Sequence, residues 1–336
     1  MKTLVNRKFV CFIIFTLLVA LLLTGCNENT AKENTPNDEP QKEAEKQYPT
    51  RPIELIVPWG PGGGADQLAR ILSKELEPVL GVSLPVINVP GASGGVGMNK
   101  LITAPNDGYT IAIYTLDTHA TLVNPNASYQ YEDITPAARM VKVPSYIFVP
   151  VDSPIKSWND FERIVKEKPG EIKAAITGDG TVDDITFKFL ENKHGIQVNK
   201  IPFPNPGERY TSILGGHADI LFEQAGDVIQ YIEEKQIRPI IVFNEERVSE
   251  FPDVPCTGEL GIELYLPFSR SIIAKAGTDP EKVKLISEAL EKVYNDSEDL
   301  QKFLQKNRAT EDSYANDQEA KKALDQDLES MAAALN

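Results

Sequence analysis

Short apolar runs at 53–58, 84–89 and 109–115 alternate with stretches of helical periodicity, and this alternation constrains the fold class more than any other feature. The run IELIVP (53–58) reads as a buried strand. Over 65–80, Leu68, Ile71, Leu72, Leu76 and Val79 fall at spacings of three and four, which predicts one apolar helical face. LPVINV (84–89) is a second strand. A glycine-rich turn, GASGGVG (91–97), opens a short helix through Ala104, PNDG (105–108) turns, and YTIAIYT (109–115) is a third strand. The order βαβαβ calls for a parallel sheet with right-handed crossovers.

The alternation resumes after Val143. Strands are predicted at 146–151, 172–177, 198–203, 218–223 and 238–243, with helices at 157–168, 181–193, 207–214 and 226–235. A looser stretch (245–263) follows, then a strand at 269–276 and two or three closing helices, the first at 279–296. This is an α/β chain of two units, each a mostly parallel sheet flanked by helices. The expected boundaries are 48–145 plus 266–336 for the first domain and 146–265 for the second. A tail that folds back on the first unit makes two strands cross between the lobes, which forms a hinge. Ligands of open parallel sheets bind at the carboxyl ends of the strands, so the cleft between the lobes is the expected site.

The amino terminus places the chain. Lys2, Arg7 and Lys8 precede an apolar run at 9–23, shorter than the roughly 20 residues of a membrane span. The run ends in LLLTGC, which resembles the bacterial lipobox. That resemblance implies a signal peptide over 1–25, cleavage before Cys26 and lipid on the Cys26 sulfur. An uncleaved anchor helix is the alternative, and both put the remainder outside the cytoplasm. Residues 26–47 have too little apolar surface to offset ordering entropy and read as a disordered tether. The net charge of −15 leaves no basic footprint for nucleic acid. Of three cysteines, Cys11 leaves with the signal and Cys256 has no partner, so no disulfide framework or cysteine metal site is expected. His119, His194 and His217 lie too far apart in sequence for a helical metal motif.

The stretch VPWGPGGGADQLAR (57–70) sits between the first strand and the first helix. It lacks the lysine and hydroxyl of a phosphate-binding P-loop. Gly60 to Ala65 fits a short dinucleotide pattern, but the second strand ends near Asn88 where that reading needs an acid. Two readings stay open: a plain turn, or an anion seat of bare amides at a helix start, where the dipole favours negative charge. A second loop of the same kind, GDGTVDDITF (178–187), opens a helix in the second unit. Two helix starts facing across a cleft could grip one ligand.

The runs YPTRPIELIVPWGPGGGADQLARIL, NVPGASGGVGMNKL, APNDGYTIAIYT, DSPIKSWNDF, GDGTVDDITF, ILGGHADILF and FPDVPCTGELG together resemble the substrate-binding proteins of tripartite tricarboxylate transporters, the Bug or TctC-like family. The likeness implies a two-lobed periplasmic-binding-protein fold (a Venus flytrap, type II-like) that closes on a small carboxylate and delivers it to membrane permease subunits. It implies no cofactor, a monomer, and an extracytoplasmic protein lipid-anchored to the bacterial cell membrane. It also implies ligand contacts from Trp59, Gly60, Pro61, Gly62, Gly63, Gly64 and Asp66, from Thr115, Asp117, Thr118 and His119, and from Gly178, Gly180, Thr181 and Asp184, with Asn205 and Glu223 near the cleft. Asp184 stands where the family usually has histidine, and Ile201-Pro202-Phe203-Pro204-Asn205 lacks the lysine and glycine of the usual VPYKG. Both departures make the expected cleft less cationic. An amino-acid-like or hydroxylated monocarboxylate is therefore expected in preference to citrate. Structural roles stay open for several of these residues: Asp184 can cap its helix with Thr181, Asp66 can favour the helix dipole, Trp59 can close the core, and His119 can be a satisfied structural histidine. The same fold can also serve as a sensing module reporting to a membrane kinase. An exported hydrolase is disfavoured, since the chain has no GxSxG elbow and no evident nucleophile and base.

Overall fold

A computed structural model describes residues 48–336, so the predicted signal peptide, Cys26 and the tether lie outside the described residues. The first sheet grows from β1 (Glu54–Val57), β2 (Val86–Asn88) and β3 (Thr110–Thr115), with β1 paired parallel to both others. Helix α1 (Gly64–Leu80) crosses from β1 to β2, and α2 (Gly95–Thr103) from β2 to β3. Leu68, Leu72 and Leu76 of α1 are fully buried on the sheet, as their spacing requires. Val79, predicted on that face, is 37% exposed, while Leu80 beside it packs on the core at the end of the helix. Gly81, in the left-handed conformation, ends the helix.

A short α3 (Leu116–Ala120) follows β3, and β4 (Ile134–Val143) completes the sheet edge. Neither was predicted. Pro136 and the two basic residues of β4 obscure its strand pattern, and the edge position tolerates the missing amide of Pro136. The outer side of β4 is closed by a bridge between Arg139 and Ala315.

The chain passes through Pro144 into the second sheet, built from β5 (Ser145–Pro150), β6 (Lys173–Ile176), β7 (Asn199–Pro202), β8 (Ile220–Gln224) and β9 (Ile237–Phe243) in the order β7-β6-β8-β5-β9. Strands β7, β6 and β8 pair in parallel; β5 runs antiparallel to β8 and β9. The connecting helices are α4 (Trp158–Glu167), α5 (Val182–His194), α6 (Pro206–Leu214) and α7 (Ile229–Glu233). The chain returns through 244–267 to β10 (Phe268–Lys275), which inserts between β3 and β4 and is antiparallel to both. Each sheet is therefore mixed: three parallel strands plus the strands that cross between lobes.

Helix α7 is shorter than predicted, because residues 225–228 form a turn. Gly226 packs so tightly on Asn307 that a Cβ would overlap the Asn307 backbone. The tail forms α8 (Pro280–Asp296), α9 (Glu298–Lys306) and α10 (Asp317–Leu335). Helix α8 packs on α1 and β4, while α10 lies along β4 and reaches α5. Among the described residues no helix is long and apolar enough to cross a membrane.

Candidate functional site

The parallel strands of both sheets end toward a small buried cavity of about 40 Å³ between the lobes. The first lobe contributes the glycine loop. After β1 the chain turns at Trp59, whose Nε1 donates to Thr115 Oγ1 at 3.0 Å. Asn88 Nδ2 donates to Trp59 O at 3.1 Å and to Asp66 Oδ1 at 3.0 Å. Asp66 also accepts from the Gly62 amide at 3.0 Å and from Arg70 Nε and Nη2 at 3.0 and 2.9 Å. Burial opposes its ionisation, but Arg70, the Gly62 amide and Asn88 outweigh burial and hold its pKa below the usual carboxylate value. Asp66 thus fixes the loop from behind and does not line the cavity.

What this frame presents is backbone. Gly63, Gly64 and Ala65 line the cavity, and among the described residues the amides of Gly64 and Ala65 make no hydrogen bond. Gly63, the residue before α1, has no side-chain cap. A helix start left open in this way is an anion seat. Gly64 is required by space: a Cβ there would collide with Asp227 Oδ1 and Arg270 Nη2. Pro61 and Gly62 are exposed, and Gly60 packs near Pro206 of the other lobe.

The second helix start is arranged differently. Its Val182 amide donates to Asp117 Oδ1 at 3.0 Å, a bond that crosses between lobes. The Asp184 amide donates to Asp183 Oδ1 at 2.8 Å, and the Gly180 amide to Asp184 Oδ2 at 2.9 Å. The side chain of Asp183 also accepts from the Thr177 amide at 2.6 Å and from the Thr181 hydroxyl. The chain's own carboxylates therefore fill the seat that the sequence offered to a ligand. Asp184, expected in a capping box with Thr181, reaches back to Gly180 and pairs with Lys188 at 2.7 Å and Lys200 at 2.5 Å; Thr181 makes no capping bond. Burial again opposes the Asp184 charge, and the two lysines outweigh it and lower its pKa. Gly178, Gly180, Thr181 and Asp184 do not line the cavity.

Other predicted residues divide in the same way. Thr115, Asp117, Glu223 and Trp59 line the cavity with Gly63 and Gly64. Thr118, within α3, is buried and bonded to Thr115 Oγ1 through its hydroxyl at 3.0 Å. His119 is also buried away from the cavity, between Tyr114 OH at 2.9 Å and Leu324 O at 2.8 Å. Burial lowers its pKa to about 4, so the ring is neutral. Asn205 is exposed and caps α6, accepting from the Gly207 amide at 3.0 Å ahead of Pro206.

The sequence reading missed three charged residues of the wall. Arg209 of α6 is buried and bound to Glu223 through Nε at 3.2 Å and Nη2 at 2.6 Å, with Nη1 on Phe203 O at 3.2 Å. Arg270 of β10 is 2% exposed and pairs with Asp227, from the turn after β8, at 2.5 Å. This pair also spans the lobes. An arginine near the start of a strand that must be buried was a legible signal. Asp227 was hidden inside a predicted helix, and nothing in the pattern marked Arg209.

The cleft is thus not depleted of cations, although its carboxyl groups outnumber its arginines. Arg209 and Arg270 face Asp117, Glu223 and Asp227, with Asp183 close behind. Burial and the neighbouring Asp183 push Asp117 up to about 8, against the pull of the Val182 amide. Burial raises Asp183 too, opposed by Thr181 and Thr177. Asp227 rises to about 6, driven by burial and only partly offset by Arg270. Among the described residues no group of His, Cys, Asp and Glu side chains is placed to hold a metal ion.

A family model described as "Tripartite tricarboxylate transporter family receptor" matches residues 68–335. The chain is 30% identical over 274 residues to the "UPF0065 protein in gbd 5'region" of Cupriavidus necator, covering 78% of this chain and 81% of that protein. A solved TctC solute binding protein from Polaromonas, without ligand, is 28% identical with a TM-score of 0.66, covering 86% of this chain and 99% of the other. MatC from Rhodopseudomonas palustris, solved with bound malate, is 22% identical and shares the fold at a TM-score of 0.79, covering 86% of this chain and all of that one (100%). Together with the two five-stranded sheets, these likenesses show a two-lobed α/β binding-protein fold.

Proposed function

This chain belongs to the tripartite tricarboxylate transporter receptor family, a family of solute-binding proteins, and on that premise we propose that it captures one small carboxylate between its lobes and delivers it to a membrane permease. The observation that carries the reading is the open start of α1, where the amides of Gly64 and Ala65 line a buried cavity beside Arg270. Backbone donors and a guanidinium suit a carboxylate, and neither requires catalytic machinery.

Residues 48–145 with 266–336, and 146–265, act as the two moving bodies. Closure is held by contacts that cross the cleft: Asp117 with the Val182 amide, Arg270 with Asp227, and Ser93 Oγ with Asp179 O at 3.3 Å. A ligand that touches both walls favours the closed form by its extra contacts there, and the closed form is what the permease would recognise. Both arginines of the wall already have a carboxylate partner, so the further carboxylates of citrate would find no free cation there, which favours an amino-acid-like or hydroxylated monocarboxylate. The malate in MatC fits the same general class of small carboxylate. Lipid on Cys26 would hold the protein at the outer face of the cell membrane.

Mass spectrometry of the small molecules released from the purified protein tests this reading. One carboxylate at an equimolar ratio is expected. Turnover of a bound ester or amide, or a stoichiometric ligand without any acid group, would refute it.

A further inference from the structure

Two buried ion pairs flank the cavity, and they differ in one respect. In the Arg209–Glu223 pair every donor nitrogen of the guanidinium is engaged, and Glu223 Oε1 accepts the Gln224 amide at 3.1 Å. That pair is complete. In the Arg270–Asp227 pair a single bond joins Nη2 to Oδ2. Arg270 Nε and Nη1 and Asp227 Oδ1 are buried and have no partner among the described residues. Buried polar atoms are seldom left unpaired, and three on one pair mark a place built to receive something.

The unpartnered atoms specify what. Arg270 offers donors with a positive charge, and Asp227 offers an acceptor with a negative one. Both side chains are nearly inaccessible, at 2% and 4%. Both sit where a Cβ on Gly64 would be, so the start of α1, with its open amides, lies directly against the pair. The ring of Phe268 stands 5.2 Å from the guanidinium carbon and backs it. Asp117, the one carboxyl lining the cavity that is not bound to an arginine, adds a second acceptor on the wall.

From this we infer that Arg270 and Asp227 form a two-charge clamp for a zwitterion: Arg270 and the α1 amides take the carboxylate of an α-amino acid, and Asp227 takes its ammonium. The inference rests on the carboxylate-binding reading above and narrows it to a ligand of net charge near zero at this end. A 2-hydroxy acid presents a donor to Asp227 without the charge. A diacid presents a second carboxylate to Asp227 and is rejected by like-charge repulsion. The ligand completes the pair that joins the lobes, so binding and closure depend on the same atoms.

Titration calorimetry tests the clamp. The probes are the twenty standard amino acids, the 2-hydroxy analogue of each binder, and malate, adipate and citrate. The wild-type protein is expected to bind at least one amino acid about tenfold or more tighter than its 2-hydroxy analogue, and to bind the diacids and citrate more weakly still. Asp227→Asn should weaken the amino acid by about 10- to 100-fold and change the hydroxy analogue by less than about threefold. Arg270→Gln should abolish both. Equal losses for amino acid and hydroxy acid in Asp227→Asn would overturn the clamp, as would a wild-type preference for a diacid or a hydroxy acid. The wild-type ranking decides the matter even if a variant fails to fold. If no carboxylate in the panel binds the wild-type protein, the carboxylate-binding reading itself fails, which is a separate outcome.

Discussion

Asp117→Asn should stabilise this protein, and should do so more as pH rises. The carboxyl lies at the cavity, 9% exposed, with Oδ1 on the Val182 amide and Asp183 nearby. Burial first and Asp183 second raise its pKa from 3.8 to about 8. Because the folded value lies above the unfolded one, the contribution of this group is fully present below about pH 4 and is lost as pH climbs toward 8. Between pH 5 and 7 the unfolded chain has released this proton and the folded chain still holds it. One such group then costs about 1.4 kcal/mol per pH unit, or about 3 kcal/mol across that interval. Asparagine keeps the acceptor for Val182 and carries no proton to lose. For a chain of this size the difference amounts to roughly 5 °C in Tm. Thermal unfolding of wild type and variant, followed by calorimetry at half-unit steps from pH 4.5 to 8, would read it. The two curves should diverge with rising pH, the variant staying above. Parallel curves would refute the reasoning, because they would mean that Asp117 ionises as an ordinary carboxylate in the folded chain.

Three further outcomes follow from the packing. Gly64→Ala places a methyl group against Asp227 and Arg270 and should weaken ligand affinity at least about tenfold in a calorimetric titration. Leu72→Ala empties a fully buried position under α1; chemical denaturation should show a loss of about 2–5 kcal/mol. Asn205→Ala removes the cap of α6 and should cost about 1 kcal/mol in the same assay, while ligand affinity stays within about twofold, since this side chain is exposed and outside the cavity.

The parallel core was legible because local chemistry determined it. The period of α1 and the apolar strands around it leave little choice of face, and Leu68, Leu72 and Leu76 lie where that period puts them. The glycine loop was legible for a similar reason: its features are backbone features, and Gly63 and Gly64 do line the cavity. Long-range partners were not legible. Strand β4 is masked by Pro136 and its basic residues and is recognisable only once β10 lies beside it. The second helix start looked like the first in sequence, but Asp117 arrives from 65 residues away to occupy its Val182 amide. No local pattern reports that bond. Asp184 and Lys200 conceal one another in the same manner: an acid that seemed to face the cleft is neutralised by a lysine from the next strand. Arg270 carried a signal, a charge in a strand that must be buried, but its meaning depends on Asp227, which lies in the other lobe.

The central claim is that the ligand's carboxylate sits on the open start of α1, between the lobes. A crystal structure of the protein with its co-purified ligand tests this most directly. The carboxylate oxygens are expected about 2.7–3.2 Å from the amide nitrogens of Gly64 and Ala65, with the Arg270 guanidinium beside them. A ligand found at the start of α5, with the Asp117 to Val182 bond displaced, or one outside the cavity altogether, would contradict the claim.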